Sequence, residues 1–254
     1  MSKLQKLTIN SFNCRGLRDP KKRLNIFKWL KNSHLGITLL QETHSVRNDE
    51  KLWEKEWGGQ IYFSHGKSNK SGVAILIPQE LNLEFKYIDG LKDQYGRIFI
   101  ILCEIEKLPL TIINVYAPTK DHKDMQLEFL EHLKSALNDY SDSNIIIGGD
   151  FNVCLDPNID KNGGRKETVS EYGTNLINTS EEFSLIDIWR TRNPDSKQFS
   201  RREKTRAGIV QSRLDFWLLS RHLEYLVSSV KIKPGNSSDH SLINLSIELS
   251  ETQV

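Results

Sequence analysis

The 254-residue sequence lacks most features that mark secreted, membrane or metal-cluster proteins. Its three cysteines, Cys14, Cys103 and Cys154, are an odd number without the close spacing of metal ligands, so we expect no disulfide framework and a reducing compartment. No apolar run approaches the roughly 18 residues that span a bilayer, and the first residues contain no apolar core typical of a signal peptide. These absences predict an intracellular protein without a membrane partner.

The sequence also has no large excess of either charge. Lys and Arg together number 35 and Asp and Glu 33, which gives a net charge of +2. This balance by itself predicts no polyanionic partner, so any nucleic-acid surface would have to be a local cluster of basic side chains. Low-complexity linkers are absent as well, and the 37% hydrophobic content is ordinary for a globular protein. We therefore predict a single domain over residues 1–254.

Apolar runs alternate with amphipathic segments along the chain. Several runs are continuously apolar and bounded by Gly or Pro, which is typical of strands covered on both faces. Strands are predicted at residues 6–12, 36–42, 60–65, 72–78, 96–105, 110–117, 144–150, 213–220 and 241–249. Helices are predicted at 19–33, at 121–140 and within 171–189, where the helix leads into a short strand. Strands from both ends of the chain with helices between them predict an α/β fold of face-to-face sheets under a layer of helices.

The first of these helices starts at Asp19 and Pro20, with Leu24, Phe27 and Leu30 predicted on one face.

The stretch IIIGGDFN, residues 145–152, ends a predicted buried strand with a carboxylate and an amide. If the backbone stays extended, Asp150 and Asn152 point to the same side because side chains alternate with period two. Phe151 then points the other way and can anchor the loop in the core. We interpret the two preceding glycines as room for a phosphate to approach the backbone.

Polar side chains occur at the ends of several other predicted strands. Loops at strand ends are where rigid scaffolds place reactive groups. The candidates are Asn13, Glu42, Asn114, Tyr116, Asp150, Asn152, Asp215, Asp239 and His240. Carboxylates and amides without paired cysteines or a histidine cluster favour Mg²⁺ or Mn²⁺ over zinc, and such an ion beside a histidine suits attack on a phosphate ester. The other histidines, which are His34, His44, His65, His122, His132 and His222, are interpreted as structural or exposed.

The motifs SFNCRG, LLQET, NVYAP, GGDFN, SRLDF and SDH, taken in this order, resemble those of the endonuclease/exonuclease/phosphatase superfamily. The resemblance runs from Asn13 to His240 and so covers nearly the whole chain. It implies a DNase-like four-layer α/β sandwich, with two central, mostly antiparallel β-sheets flanked by helices. It also implies metal-dependent phosphodiester cleavage that leaves a 3′-hydroxyl and a 5′-phosphate.

The resemblance also implies a role for each matching residue. Glu42, supported by Asn13, would bind the metal, and Asp150 would orient or deprotonate the attacking water. The scissile phosphate would be held by Asn152 and His240. Three further residues complete the set: Asp215 braces His240, Tyr116 lies near the phosphate, and Asp239 is a second acid close to the metal or its waters.

The sequence departs from the repair nucleases of this superfamily that act on abasic sites. They resemble one another in a Trp before the Arg-Leu-Asp run and a Phe that encloses the baseless sugar, whereas this chain has Ser212 and Arg201 at those positions, with Ser200 where Thr is usual. Arg15 stands where repair nucleases carry an acid. The pocket for an abasic sugar is therefore predicted to be absent.

The sequence is more similar to the endonuclease domains of LINE-type, Tx1-like non-LTR retrotransposons. In that group, a loop between the two strands before the Arg-Leu-Asp run contacts DNA. The matching segment, 200–213, supplies the predicted DNA-binding residues Ser200, Arg201, Arg202, Lys204, Arg206 and Arg213. The alternative interpretation is a charged hairpin tip that keeps the protein soluble.

We therefore expect a Mg²⁺-dependent (or Mn²⁺-dependent) endonuclease that nicks one strand of double-stranded DNA to prime reverse transcription. The domain would be the N-terminal part of a retrotransposon polyprotein, a monomer when isolated, with a fused reverse transcriptase and the element RNA as partners in the nucleus. The alternative is an abasic-site repair endonuclease and 3′-exonuclease. A phosphoesterase for lipid or soluble substrates, or a binding module without catalysis, fits the motif set less well.

Overall fold

The computed structural model describes residues 5–67, 70–81, 83–140, 143–206 and 208–249. In these ranges no helix combines the length and the apolar composition needed to cross a membrane. All the segments in which the sequence predicts strands and helices lie within the described ranges.

Six strands form the first sheet: β1 (Gln5–Asn13), β2 (Ile37–Gln41), β3 (Gln60–Ser64), β4 (Val73–Ile77), β14 (Val227–Lys233) and β15 (Leu242–Leu249). Their order across the sheet is β14-β15-β1-β2-β4-β3. Only β1 and β2 run parallel among the described pairs of this sheet. Both strands therefore deliver their carboxyl ends to the same edge.

The second sheet has the same plan. Its strands are β5 (Phe85–Lys92), β6 (Ile98–Ile105), β7 (Leu108–Tyr116), β8 (Ile145–Asp150), β10 (Leu185–Asp187) and β13 (Asp215–Ser220), in the order β10-β13-β8-β7-β6-β5. Its one parallel pair within the described residues is β7 with β8. A small third sheet joins β9 (Lys161–Asn162) to a hairpin of β11 (Arg201–Thr205) and β12 (Gly208–Ser212), in the order β11-β12-β9.

Helices cover the outer faces of the two large sheets. They are α1 (Pro20–Ser33), α2 (Glu50–Trp57), α3 (Lys123–Asp139), α4 (Pro157–Asp160), α5 (Glu171–Glu182) and α6 (Ile188–Arg192), with 3₁₀ turns at Arg47–Asp49 and Arg221–Leu226. Phe27 of α1 and Trp53 of α2 pack on the first sheet, and Phe129 of α3 and Leu176 of α5 on the second. The inner faces of both sheets share a third core between them. The predicted four-layer α/β sandwich with mostly antiparallel sheets is confirmed.

The first helix shows how the local sequence sets an element boundary. Asp19 caps α1 by accepting hydrogen bonds from the backbone N–H groups of Lys21 and Lys22, and Pro20 occupies the first turn, as predicted. The predicted buried face was wrong in one position, because Leu24 is 47% exposed. Arg23 is buried instead, because its guanidinium is paired with Glu56 of α2 at 2.6 Å.

The end of β8 differs from the extended backbone predicted for IIIGGDFN. The strand stops at Asp150, and Asn152 adopts a left-handed conformation with φ of 51°. Phe151 is fully buried and stacks on Phe216 with ring centroids 4.2 Å apart, so the predicted anchor is present. The fold itself requires a glycine here, because a Cβ on Gly148 would lie 2.1 Å from the Trp217 ring, and room for a phosphate stays a prediction.

A polar link joins the inner faces of the two sheets just behind the strand ends. Asn114 of β7 donates to the backbone oxygens of Leu40 and Ala74 at 3.0 and 2.9 Å, which belong to the other sheet. Its own side-chain oxygen accepts from Gln41 Nε2 at 2.8 Å. All these groups are buried, so leaving them unpaired would be costly. The sequence offered Asn114 as a candidate for the functional site, but its hydrogen bonds join the two sheets.

Replacing Asn114 by Ala should lower the free energy of unfolding by about 2–4 kcal/mol, because two carbonyls and Gln41 lose a buried partner. Urea denaturation measures the change. The matched control is Asn158→Ala, since this exposed side chain bonds to Asp156 next to it, and it should cost less than about 0.5 kcal/mol. Equal stability of the two variants would contradict the role of Asn114.

Candidate active site

The two parallel strand pairs bring the predicted site residues together. Asn13 ends β1 and Glu42 follows β2, while Tyr116 ends β7 directly opposite Asp150 at the end of β8. Asp215 begins the neighbouring strand β13 and is in register with Asp150. Because the sheets pack face to face, both sets of strand ends meet at one edge of the sandwich.

Asn13 connects the two sets of strand ends. Its Nδ2 donates to Glu42 Oε1 at 2.8 Å and to Asp150 Oδ2 at 2.9 Å. Asn13 is fully buried and Asp150 is 1% exposed. One amide group thus fixes two carboxylates that would otherwise repel each other.

His240 lies between two aspartates. Its Nδ1 is 2.8 Å from Asp215 Oδ2, and its Nε2 is 3.8 Å from Asp150 Oδ2. Burial alone would lower the pKa of His240, but the carboxylates of Asp215 and Asp150 raise it to about 9. The imidazole is therefore cationic near neutral pH, which suits contact with a phosphate.

The remaining predicted phosphate contacts lie beside Asp150. The Asn152 N–H donates to Asp150 Oδ1 at 2.9 Å, and its side chain donates to the Ala117 oxygen at 2.8 Å. The Tyr116 ring is nearly buried, and Arg97 lies over it at 5.1 Å. Burial and the neighbouring Glu42 and Asp150 carboxylates raise the pKa of the Tyr116 hydroxyl, which therefore stays protonated and can donate.

The charges of the site fit a divalent cation. Three carboxylates, from Glu42, Asp150 and Asp215, face one cationic imidazole, that of His240. Burial opposes ionisation of Glu42, but its His44 and Asn13 neighbours outweigh this and hold its pKa below the usual value. Burial and the nearby Asp215 raise the pKa of Asp150, a shift that a bound cation would oppose. Oxygen donors of this kind suit a hard divalent ion.

Asp150, Asp215 and His240 each have one ligand atom within 4.8 Å of the other two. Asp215 and His240 already bond to each other, so we place the cation beside Glu42 and Asn13 rather than inside that pair. This placement agrees with the sequence prediction and remains a prediction.

Asp239 lies at the rim of the site in an unexpected setting. Its Oδ2 is 3.0 Å from Arg15 Nη1 and 3.3 Å from Arg201 Nε. Its Oδ1 is buried and has no hydrogen-bond partner in the described parts of the chain. Asp239, the acid predicted near the metal, is thus paired with two arginines through Oδ2, and its Oδ1 is left for a water or ion.

Two of the predicted DNA contacts need correction. Arg213 is 1% exposed, and its Nε and Nη1 lie 2.7 Å from Asp160 and Asp187 respectively, so the guanidinium stabilises the core instead of meeting DNA. Ser200 is fully buried and donates from Oγ to Asp215 Oδ2 at 2.6 Å. It therefore positions the acid that braces His240.

The other predicted contacts lie on the β11–β12 hairpin. Arg202, Lys204 and Arg206 are exposed, and Arg201 is half-buried because it pairs with Asp239. The hairpin starts at the active site, since an isolated bridge pairs Arg201 with His240. DNA binding by these residues remains a prediction.

Sequence reasoning missed two neighbours of the site. Arg15 was noted only as a departure from repair nucleases, but it pairs with Asp239. The available signal was a basic side chain two residues after Asn13. His44 was interpreted as structural or exposed, yet its Nε2 is 3.7 Å from Glu42 Oε2. Its position two residues after Glu42 was the only signal.

Comparison with known proteins agrees with this geometry. A sequence profile of the Endonuclease/Exonuclease/phosphatase family matches residues 10–240. The chain is 30% identical over 245 residues to a Xenopus laevis protein described as Transposon TX1 uncharacterized 149 kDa protein, an alignment that covers 96% of this chain and 18% of that protein. It is also 25% identical over 259 residues to a Bacillus subtilis exodeoxyribonuclease, covering 94% of this chain and 98% of that enzyme.

Among solved structures, an AP endonuclease from Leishmania major superimposes with a TM-score of 0.83 at 15% identity, covering 97% of this chain and 89% of the other. At this identity the match shows the shared fold. The chain belongs to the endonuclease/exonuclease/phosphatase family. In this member of the family, Asn13, Glu42, Asp150, Asp215 and His240 converge at one edge of the sandwich and form the candidate active site.

Replacing Ser200 by Ala should slow DNA cleavage by roughly 10-fold, because Asp215 loses the hydroxyl that orients it, which corresponds to about 1.4 kcal/mol. Ser200→Thr keeps a hydroxyl and should restore most of the rate. Single-turnover cleavage measures both variants, with the exposed Ser196→Ala as control. If Ser200→Ala cleaves at the wild-type rate, Ser200 does not position Asp215.

Proposed function

We propose that the chain is a Mg²⁺-dependent endonuclease that nicks one strand of double-stranded DNA and leaves a 3′-hydroxyl and a 5′-phosphate. In this proposal the nick primes reverse transcription of a non-LTR retrotransposon. The observation that supports this role is the match to the Tx1 protein over 96% of the chain. The chain spans about a fifth of that relative, so the reverse transcriptase, the element RNA and action in the nucleus are parts of the proposal.

The active-site geometry supports a division of roles for attack on a phosphodiester. Asp150, fixed by Asn13 and by the Asn152 N–H, would orient the attacking water and take its proton. His240, kept cationic by Asp215, would contact a non-bridging oxygen of the phosphate. The amide of Asn152 would hold the same phosphate in place.

A divalent cation at this site supplies positive charge that offsets the charge of the phosphate and its leaving group. Glu42, together with Asn13, would hold it. The excess of buried carboxylates over cationic groups is the structural reason to expect such an ion.

The hairpin gives the proposed enzyme a surface for duplex DNA. Arg202, Lys204 and Arg206 project from a strand pair whose first residue contacts Asp239. Basic side chains at this spacing can bind successive phosphates and fix the register of the duplex over the active site. Choice of target site would then depend on DNA shape and bendability.

An abasic-site repair nuclease with 3′-exonuclease activity is the second candidate. The Bacillus exodeoxyribonuclease, which the alignment covers over 98% of its length, favours it. Against it, the two positions at which repair nucleases carry Trp and Phe are Ser212 and Arg201 in this chain, and Arg201 is paired with Asp239. Neither side chain can form an apolar pocket.

Glu42→Gln and Asp150→Ala should each slow nicking of supercoiled plasmid by about 10³-fold, equivalent to ~4 kcal/mol of transition-state stabilisation, while DNA binding persists. Conversion to open circles in Mg²⁺ measures the rate, and fluorescence anisotropy measures binding. Unchanged nicking in either variant would refute its assigned role. Strong preference of the wild type for a duplex with one tetrahydrofuran site over intact duplex would instead favour the repair enzyme.

Arg202→Ala, Lys204→Ala and Arg206→Ala combined should weaken DNA binding and reduce the slope of log K against log salt by roughly 2 to 3, because each lost phosphate contact removes nearly one released counterion. The hydrolytic step at saturating enzyme should change little.

The control for that experiment removes three exposed lysines elsewhere, by Lys28→Ala, Lys51→Ala and Lys86→Ala, which lie on the outer helices and the edge strand β5. The same salt dependence in both triple variants would show that the hairpin is only a solubilising tip.

A further inference from the structure

His44 lies against the proposed cation site, two residues after Glu42. Its Nε2 is 3.7 Å from Glu42 Oε2. That nitrogen is buried and lacks a hydrogen-bond partner within the described ranges. A buried polar atom without a partner costs free energy. A bound ligand is therefore the partner that we expect for this nitrogen.

The separation of the two atoms suits a shared ion better than a direct bond. A distance of 3.7 Å exceeds that of a hydrogen bond. Two ligands that each lie about 2.1 Å from one divalent cation are roughly 3 to 4 Å apart, depending on the angle between them. The other oxygen of Glu42 is taken by Asn13, so Oε2 is the atom available to an ion.

The backbone that carries both side chains is held in an unfavourable conformation. Glu42 and His44 have φ of 52° and 55°, in the left-handed region that non-glycine residues rarely adopt. The N–H groups of Thr43 and His44 donate to Gly72 and Ser71 oxygens at 2.9 Å, which fixes the loop. Strain of this kind persists where the surroundings enforce it, and it is concentrated at functional sites.

Two further features surround His44, one that holds the loop after it and one that borders its ring. Behind the loop, Ser45 Oγ bonds to His65 Nδ1 at 2.9 Å, and His65 Nε2 bonds to Glu50 at 2.9 Å. On the other side, Gly16 leaves room for the ring, because a Cβ there would lie 2.8 Å from His44 Nδ1. The nitrogen is thus preorganised beside Glu42.

We propose that His44 Nε2 is a nitrogen ligand of the divalent cation held by Glu42, and that this nitrogen raises the affinity of the site for Mn²⁺ more than its affinity for Mg²⁺. Mg²⁺ prefers oxygen ligands and keeps its waters, whereas transition metals accept imidazole more readily. The inference rests on the cation of the proposed function, but it concerns binding and needs no cleavage.

The test compares the wild-type chain with His44→Asn after removal of metals by chelation. Asn tolerates a positive φ, so the loop should keep its shape while the imidazole is lost. Titration calorimetry with MnCl₂ and with MgCl₂ should show Mn²⁺ affinity falling by roughly 10-fold or more in His44→Asn, with a smaller change for Mg²⁺. Pulsed electron paramagnetic resonance of the Mn²⁺ complex should show nitrogen coupling that His44→Asn loses and the exposed control His222→Ala keeps.

Retained nitrogen coupling or unchanged Mn²⁺ affinity in His44→Asn would overturn the proposal. If His44→Asn fails to fold by circular dichroism, His44→Gly replaces it, because glycine also accepts this φ. Loss of coupling in His44→Asn, together with a wild type that never nicks DNA, would support the His44 ligand and refute the nuclease function, so the two failures are distinguishable.

Discussion

The candidate active site depends on one carboxamide that joins its two halves. The NH₂ group of Asn13 has two hydrogens, and they are used for Glu42 from one sheet and Asp150 from the other. Hydrogen bonds to charged acceptors are stronger than neutral ones, so this bridge fixes the distance between two carboxylates that repel. Asn114 fastens the same two sheets further back, which lets the strand ends meet with little freedom.

The bridge has electrostatic consequences for the rest of the site. Asp150 and Asp215 are buried beside the partly buried Glu42, which leaves negative charge that His240 offsets only in part. The proposed cation and the incoming phosphate complete the balance together. Arg201 connects this region to the hairpin through Asp239, so the surface proposed for DNA is attached directly to the catalytic edge.

The sequence predicted the convergence of the site well, for a physical reason. Polar residues at strand ends, such as Glu42 and Asp150, and the resemblance of their motifs to one family indicated a common site, and the parallel pairs β1–β2 and β7–β8 bring these ends together in the structure. It predicted less well where a side chain's partner lies far away along the chain. Arg213 is a basic residue of the kind that contacts DNA, yet its guanidinium pairs in the core with Asp160, which lies 53 residues earlier in the chain.

Local conformation was the other limit. Alternation of side chains predicted an extended backbone through Asn152, whereas the strand ends at Asp150 and the chain turns left-handed. Ser200 was misjudged because its partner, Asp215, is brought close only by the fold. Helix α2 and strand β5 were not predicted. Helix α2 is short and strand β5 is mostly exposed, so the hydrophobic pattern of each gives little indication of its structure.

The most direct test of the central claim is a crystal structure of the chain with a DNA duplex and Mn²⁺, using anomalous scattering to locate the ion. The account predicts an anomalous peak beside Glu42 and a single phosphate that lies between that ion and His240. Peaks only at a distance from Glu42, or a duplex whose phosphates reach Glu42 and His240 separately, would contradict it.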